Sequence, residues 1–163
     1  MKTLLIVYHS MTGGTQQMAR AAARAAATED SLQVRILHAA DAGERDLLQA
    51  DGYIFATPEN LAAISGVMKD FFDRSYYAVL DRINGRPYAV LICAGSDGRN
   101  AARQVERIAT GWRLKPVVPP LIVCTHAQTR EAILQPKVIG LKDLSLCEEV
   151  GATLAAGLVL GVF

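Results

Sequence analysis

The chain has 163 residues, with 17 Lys plus Arg against 16 Asp plus Glu and a formal net charge of +1. That length fits one domain, expected to span residues 1–163, and can bury a core. The balanced charge excludes a whole-protein nucleic-acid footprint, which needs a basic excess or stripe, and an acidic, disordered chain. Hydrophobic residues make up 51% of the chain, but 25 of the residues are Ala, a helix former. No apolar run reaches the roughly 18 residues of a spanning helix, so no membrane span is expected and a cytoplasmic location is. The N-terminal run Thr3–Tyr8 is too short for a signal-peptide core, and no cleavage-like site follows it. Cys93, Cys124 and Cys147 are odd in number and form no CxxC, which argues against a disulfide framework or zinc site. They read as reduced, mostly buried thiols.

Short apolar runs alternate with longer helical patterns. Thr3–Tyr8 is a continuous run, and Thr15–Ala27 is an Ala-rich helix. Leu32–Leu37 alternates and reads as a strand with one covered face. A short extra turn is expected near Asp46–Gln49, and Gly52–Thr57 is again continuous. Ser65–Tyr77 carries Val67, Met68, Phe71, Phe72 and Tyr76 at helical spacing. Tyr88–Cys93 is a continuous strand, Asn100–Gly111 a helix, Val117–Cys124 a strand interrupted by Pro119 and Pro120, and Leu144–Leu160 a last helix. This alternation predicts an α/β fold with a parallel sheet and helices on both faces. Central strands of such sheets are continuously apolar, whereas edge strands alternate or carry Pro. The second and fifth strands are therefore the edges. The expected architecture is a three-layer doubly wound α/β fold with a five-stranded parallel sheet in the order 2-1-3-4-5. The segment Thr125–Asp143 is long for a loop and is a candidate for function or for contact with another copy, as is the apolar tail Gly157–Phe163.

Ligands of such sheets bind beyond the carboxyl ends of the strands, where the strand order reverses. After the first strand comes Ser10-Met11-Thr12-Gly13-Gly14-Thr15, leading into a helix. Its hydroxyls, backbone N–H groups and helix dipole suit a phosphate. There is neither a G-x-G-x-x-G fingerprint nor a Walker loop, and no basic residue lies within the loop. Neutral donors of this kind fit a phosphate monoester dianion held without a salt bridge; the ordinary alternative is a helix N-cap. After the third strand, Thr57-Pro58-Glu59-Asn60-Leu61 is a turn stiffened by Pro58. After the fourth, Gly95-Ser96-Asp97-Gly98 lets backbone approach a flat ligand, or is a turn capped by Ser96 or Asp97.

These three loops, with Ser65-Gly66-Val67-Met68-Lys69-Asp70-Phe71 after the second, resemble the FMN-binding loops of the flavodoxin-like superfamily. The second segment is most similar to NAD(P)H-dependent FMN reductases and flavodoxin-like quinone reductases. The resemblance runs from about Lys2 to Val123 in order and spacing. It implies that Ser10, Met11, Thr12, Gly13, Gly14 and Thr15 hold the FMN phosphate. Pro58, Glu59, Asn60 and Leu61 would flank one side of the isoalloxazine, and Gly95, Ser96, Asp97 and Gly98 would line its pyrimidine edge. It also implies hydride transfer from NAD(P)H, as co-substrate, through the flavin to a quinone-like or other small acceptor. No catalytic side chain is implied and no metal.

Two departures bear on activity. Many FMN reductases carry Tyr where Asn60 stands, and carrier flavodoxins usually stack aromatic residues on the flavin, whereas neither ring-binding loop here contains an aromatic residue. Carrier flavodoxins are also typically strongly acidic, and this chain lacks that steering field. Both departures favour a reductase over a flavodoxin-type electron carrier. A non-enzymatic flavin-binding regulator is compatible with the same loops. A response-regulator receiver is not, because His9-Ser10, Thr57 and Thr125 occupy the positions of its acidic residues, phospho-acceptor Asp and Lys. Weaker candidates are His126, which follows the last strand, and Arg99, Arg130 and Lys137, which could meet a pyridine-nucleotide phosphate; for each the plain alternative is a solvated surface group. Trp112, at a helix end, reads as packing. His9 reads as packing or capping, and His38 as closing an edge strand without a partner.

Overall fold

A computed structural model describes residues 1–163. The elements in chain order are β1 (Lys2–Tyr8), α1 (Gly14–Ala26), β2 (Leu32–His38), α2 (Glu44–Gln49), β3 (Gly52–Asn60), β4 (Ala63–Ile64), α3 (Gly66–Val79), β5 (Pro87–Ala94), α4 (Arg99–Gly111), β6 (Lys115–Pro116), β7 (Leu121–Cys124), α5 (Arg130–Leu134) and α6 (Leu141–Leu160). The sheet runs β2-β1-β3-β5-β6, with β7 also beside β5 and β4 beside β3. All pairings are parallel except β3 with β4. The fold is therefore the flavodoxin-like doubly wound one, in the expected order, with seven strands where five were expected.

Both extra strands have local causes. Pro119 and Pro120 have no N–H to give a ladder, so of the expected run Val117–Cys124 only Leu121–Cys124 is strand, and β6 (Lys115–Pro116) pairs with β5 just before it. The turn after the third strand is a hairpin: β3 continues through Pro58 to Asn60, and Glu59 and Asn60 pair back with Ile64 and Ala63. Its two-residue tip, Leu61 and Ala62, has φ of 51° and 60°. Positive φ at both central positions is the backbone of a turn that matches strand twist, here made without glycine or asparagine.

Successive residues of a buried strand face opposite sides of the sheet. Leu5 and Val7 of β1, with Tyr53 and Phe55 of β3, pack against α2, α3 and α4. Leu4, Ile6, Ile54 and Ala56 pack against α1 and α6. Helices α1 and α6 touch at Gly151, where a Cβ would lie 2.0 Å from the Ala22 carbonyl oxygen. The large aromatics are spent on the first of these cores. Trp112 is fully buried, stacks on Tyr76, and donates from Nε1 to the Tyr76 carbonyl at 3.1 Å. Phe55, Phe71, Phe72 and Tyr88 complete that cluster.

Candidate functional site

The turns after β1, β3, β5 and β7 meet at the carboxyl edge of the sheet around a cavity of about 570 Å³, a size common for cofactor and small-molecule sites. Ser10, Met11, Thr12, Gly14 and Thr15 line one end; Pro58, Glu59, Asn60 and Leu61 line a side; Gly95 and Ser96 line a third part. Gly13, Asp97 and Gly98 are placed beside the cavity and outside its lining.

The first turn is built to leave donors free. Gly13 takes φ 93° as the residue before α1, and its N–H donates to Ser10 Oγ at 3.1 Å. No side chain caps α1. The N–H groups of Thr12, Gly14 and Thr15 donate to nothing in the chain. Thr15 is 1% exposed, and its Oγ1 has no nitrogen or oxygen partner, only the weak Cys93 thiol beside it. N–H groups left without acceptors at a helix start fit a group that accepts hydrogen bonds. A Cβ on Gly14 would lie 2.6 Å from Cys93 Sγ, so only glycine lets the helix start lie against β5. Burial pushes the Cys93 thiol up to about 11, and the nearby Lys137 ammonium offsets part of that rise. Cys93 is thus a neutral thiol in the wall.

The hairpin and the third turn form one unit. Glu59 Oε1 accepts from Gly98 N–H at 2.9 Å, and Oε2 accepts from Ala101 N–H at 3.2 Å. A carboxylate from β3 therefore caps α4, joined by Asp97 Oδ1, which accepts from Arg99 N–H at 3.3 Å; Ser96 does not take part. Gln104 Oε1 accepts from Ile64 N–H at 2.9 Å, and Asn100 donates to the Ala62 carbonyl. The Ser96 and Asp97 N–H groups have no acceptor in the chain. Asp97 is exposed and paired with Arg99 at 2.6 Å, which holds its carboxyl below the usual carboxylate range. Inside the hairpin, Thr57 Oγ1 accepts from Ser65 N–H at 3.2 Å, and Ser65 Oγ caps α3 through Met68 N–H.

Several lining residues come from the segment Thr125–Asp143, a candidate for function on its length alone. Thr125, Ala127, Gln128, Ile133 and Lys137 form a wall of the cavity. The segment is strapped to the first turn: Lys137 N–H donates to the Thr12 carbonyl at 2.8 Å. Gln17 Nε2 donates to the Lys137 carbonyl at 2.7 Å, and Gln17 Oε1 accepts from Ile139 N–H at 3.0 Å. Of the three basic candidates for a nucleotide phosphate, Lys137 lines the cavity rather than standing as a solvated charge, while Arg99 and the exposed Arg130 stay outside it. His126 is exposed, has φ 59°, and is not in the lining. His38 has partners after all: Ala40 N–H donates to its Nδ1, and the Tyr8 and His9 rings meet it edge-on at 5.5 and 5.4 Å. Burial, and then His38, hold the His9 imidazole below its ordinary pKa. No aromatic residue lines the cavity, and no helix is long and apolar enough to cross a membrane.

Residues 39–129 match the model of the NADPH-dependent FMN reductase family. The chain is 32% identical over 98 residues to a flavodoxin of Aquifex aeolicus (strain VF5), covering 60% of this chain and 53% of that protein. It is 32% identical over 95 residues to an NAD(P)H dehydrogenase (quinone) of Acidithiobacillus ferrooxidans (strain ATCC 53993 / BNL-5-31), covering 46% of this chain and 48% of that one. The chain spans about half the length of the curated relatives it matches. Among solved structures, an archaeal flavodoxin superposes with a TM-score of 0.80 at 19% identity, over 96% of this chain and 99% of its own.

Proposed function

Since the chain belongs to the NADPH-dependent FMN reductase family, we propose that it binds FMN in the carboxyl-edge cavity and serves as a reductase, moving two electrons from NAD(P)H to a quinone-like or other small acceptor. The observation that carries this is the start of α1, where Thr12, Gly14 and Thr15, whose N–H groups donate to nothing in the chain, line one cavity. Bound FMN supplies the hydride-accepting and hydride-donating chemistry. The chain's residues bind, orient and shield. Ser10, Thr12 and Thr15, with the backbone of Met11, Gly13 and Gly14, take the phosphate against the positive end of α1. Pro58, Glu59, Asn60 and Leu61 flank the ring system, Glu59 by fixing the hairpin to α4. The N–H groups of Gly95, Ser96 and Asp97 offer hydrogen bonds to its pyrimidine edge, and Gly98 holds the turn. No side chain is assigned an acid or base role.

The lining without aromatic residues supports a reductase, because a ring face left uncovered can receive a nicotinamide or a quinone. The similarity to the Aquifex aeolicus flavodoxin favours the second reading, an electron carrier that binds FMN and oxidises NAD(P)H slowly. Visible absorption of the purified protein, followed by anaerobic addition of NADPH or NADH and then a quinone, separates the two. A yellow protein bleached by nicotinamide nucleotide and recoloured by quinone supports the reductase. A yellow protein that neither nucleotide bleaches selects the carrier, and a colourless one that does not retain added FMN removes both.

A further inference from the structure

The cavity holds one cation that nothing neutralises. Lys137 and Glu59 are its only charged lining residues, and the Glu59 carboxylate is tied to the start of α4. The Lys137 ammonium donates to the carbonyls of Ala132, Ile133 and Gln135 at 2.9, 2.8 and 2.6 Å and pairs with no carboxylate. Three carbonyls fix the charge in place without cancelling it. The residue is half-buried, and its Cβ lies 3.5 Å from where a Cβ on Gly14 would be, against the uncapped start of α1. The ammonium also acts on the Cys93 thiol, against which Gly14 at the start of α1 packs, so a fixed positive charge and a helix N-terminus share one wall of the cavity.

We infer that Lys137, brought in by the strap 120 residues along the chain from Gln17, is the charge-balancing residue for the cofactor's phosphate and makes the site select a flavin phosphate over unphosphorylated flavin. This rests on the FMN reading above and amends the expectation of a site made only of neutral donors. The strap has two jobs that experiment can separate. Its backbone bonds to Thr12 and Gln17 shape the turn and act on any flavin; the ammonium acts on the phosphate alone.

The test is fluorescence titration of the full-length apoprotein with FMN and with riboflavin, for wild type, Lys137→Gln and Lys137→Arg. The expected result is an FMN affinity lowered about tenfold or more by Lys137→Gln, equivalent to about 1.4 kcal/mol. Riboflavin affinity should stay within about twofold, and Lys137→Arg, which keeps the charge, should restore most of the FMN affinity. Added salt should weaken FMN binding to wild type more than to Lys137→Gln. Equal losses for the two flavins, no loss for either, or an arginine variant as weak as the glutamine one overturns the inference and leaves the FMN reading intact. A wild type that binds neither flavin overturns the FMN reading itself.

Discussion

Helices α1 and α4 begin in the same way and end up with opposite needs. Each follows a central strand and is preceded by a glycine in the left-handed region, Gly13 at φ 93° and Gly98 at φ 85°. Neither glycine has a side chain to offer its helix. At α4 the missing acceptor is internal: Glu59 reaches across from β3 and takes two N–H groups. At α1 only Gly13 N–H finds an acceptor, the local Ser10 Oγ, and the N–H groups of Gly14 and Thr15 are left open. A helix start that the fold satisfies is a structural joint, and one that the fold leaves open beside a cavity is a place for an outside anion.

Breaking the closed joint should cost the most. Glu59→Ala removes two charge-assisted hydrogen bonds and should lower unfolding free energy by about 3 kcal/mol, read from urea denaturation of the apoprotein. Gly98→Ala forces a side chain into φ 85° with its Cβ 2.6 Å from Ile122 Cγ2, and should cost about 2 kcal/mol in the same measurement. The open joint should behave in reverse. Thr15→Val deletes a buried hydroxyl whose only neighbour of this kind is the weak Cys93 thiol, so the apoprotein should lose little stability. Its FMN affinity should still fall about tenfold, or about 1.4 kcal/mol, by fluorescence titration. An apoprotein that unfolds more easily after that change would mean the hydroxyl already has a structural role. Asp97→Asn, which breaks an exposed pair with Arg99, should leave the urea midpoint unchanged and marks the floor of the series.

What was legible in the sequence follows the range of the interactions. The strand order could be read because continuous apolar runs and alternating or Pro-bearing runs are local records of central and edge positions. Ser10–Thr15 and Gly95–Gly98 announced themselves through glycine and hydroxyl content. The hairpin tip did not, because Leu61 and Ala62 take left-handed backbone that their side chains disfavour. The cap on α4 comes from Glu59, 39 residues before Gly98. Lys137 reaches the first turn only because Gln17 and Thr12 bind its backbone from the far end of the chain. Neither pairing leaves any periodic trace.

The claim at the centre is that the open start of α1 holds a phosphate dianion. Phosphorus NMR of FMN added to the apoprotein, followed from about pH 5 to about pH 8, tests it directly, since the second ionisation of a free phosphate monoester lies near pH 6. Free N–H groups, the helix dipole and the Lys137 charge all favour the dianion. The bound resonance should therefore hold its position across that range. A resonance that titrates as free FMN does, with its midpoint near pH 6, would contradict the account.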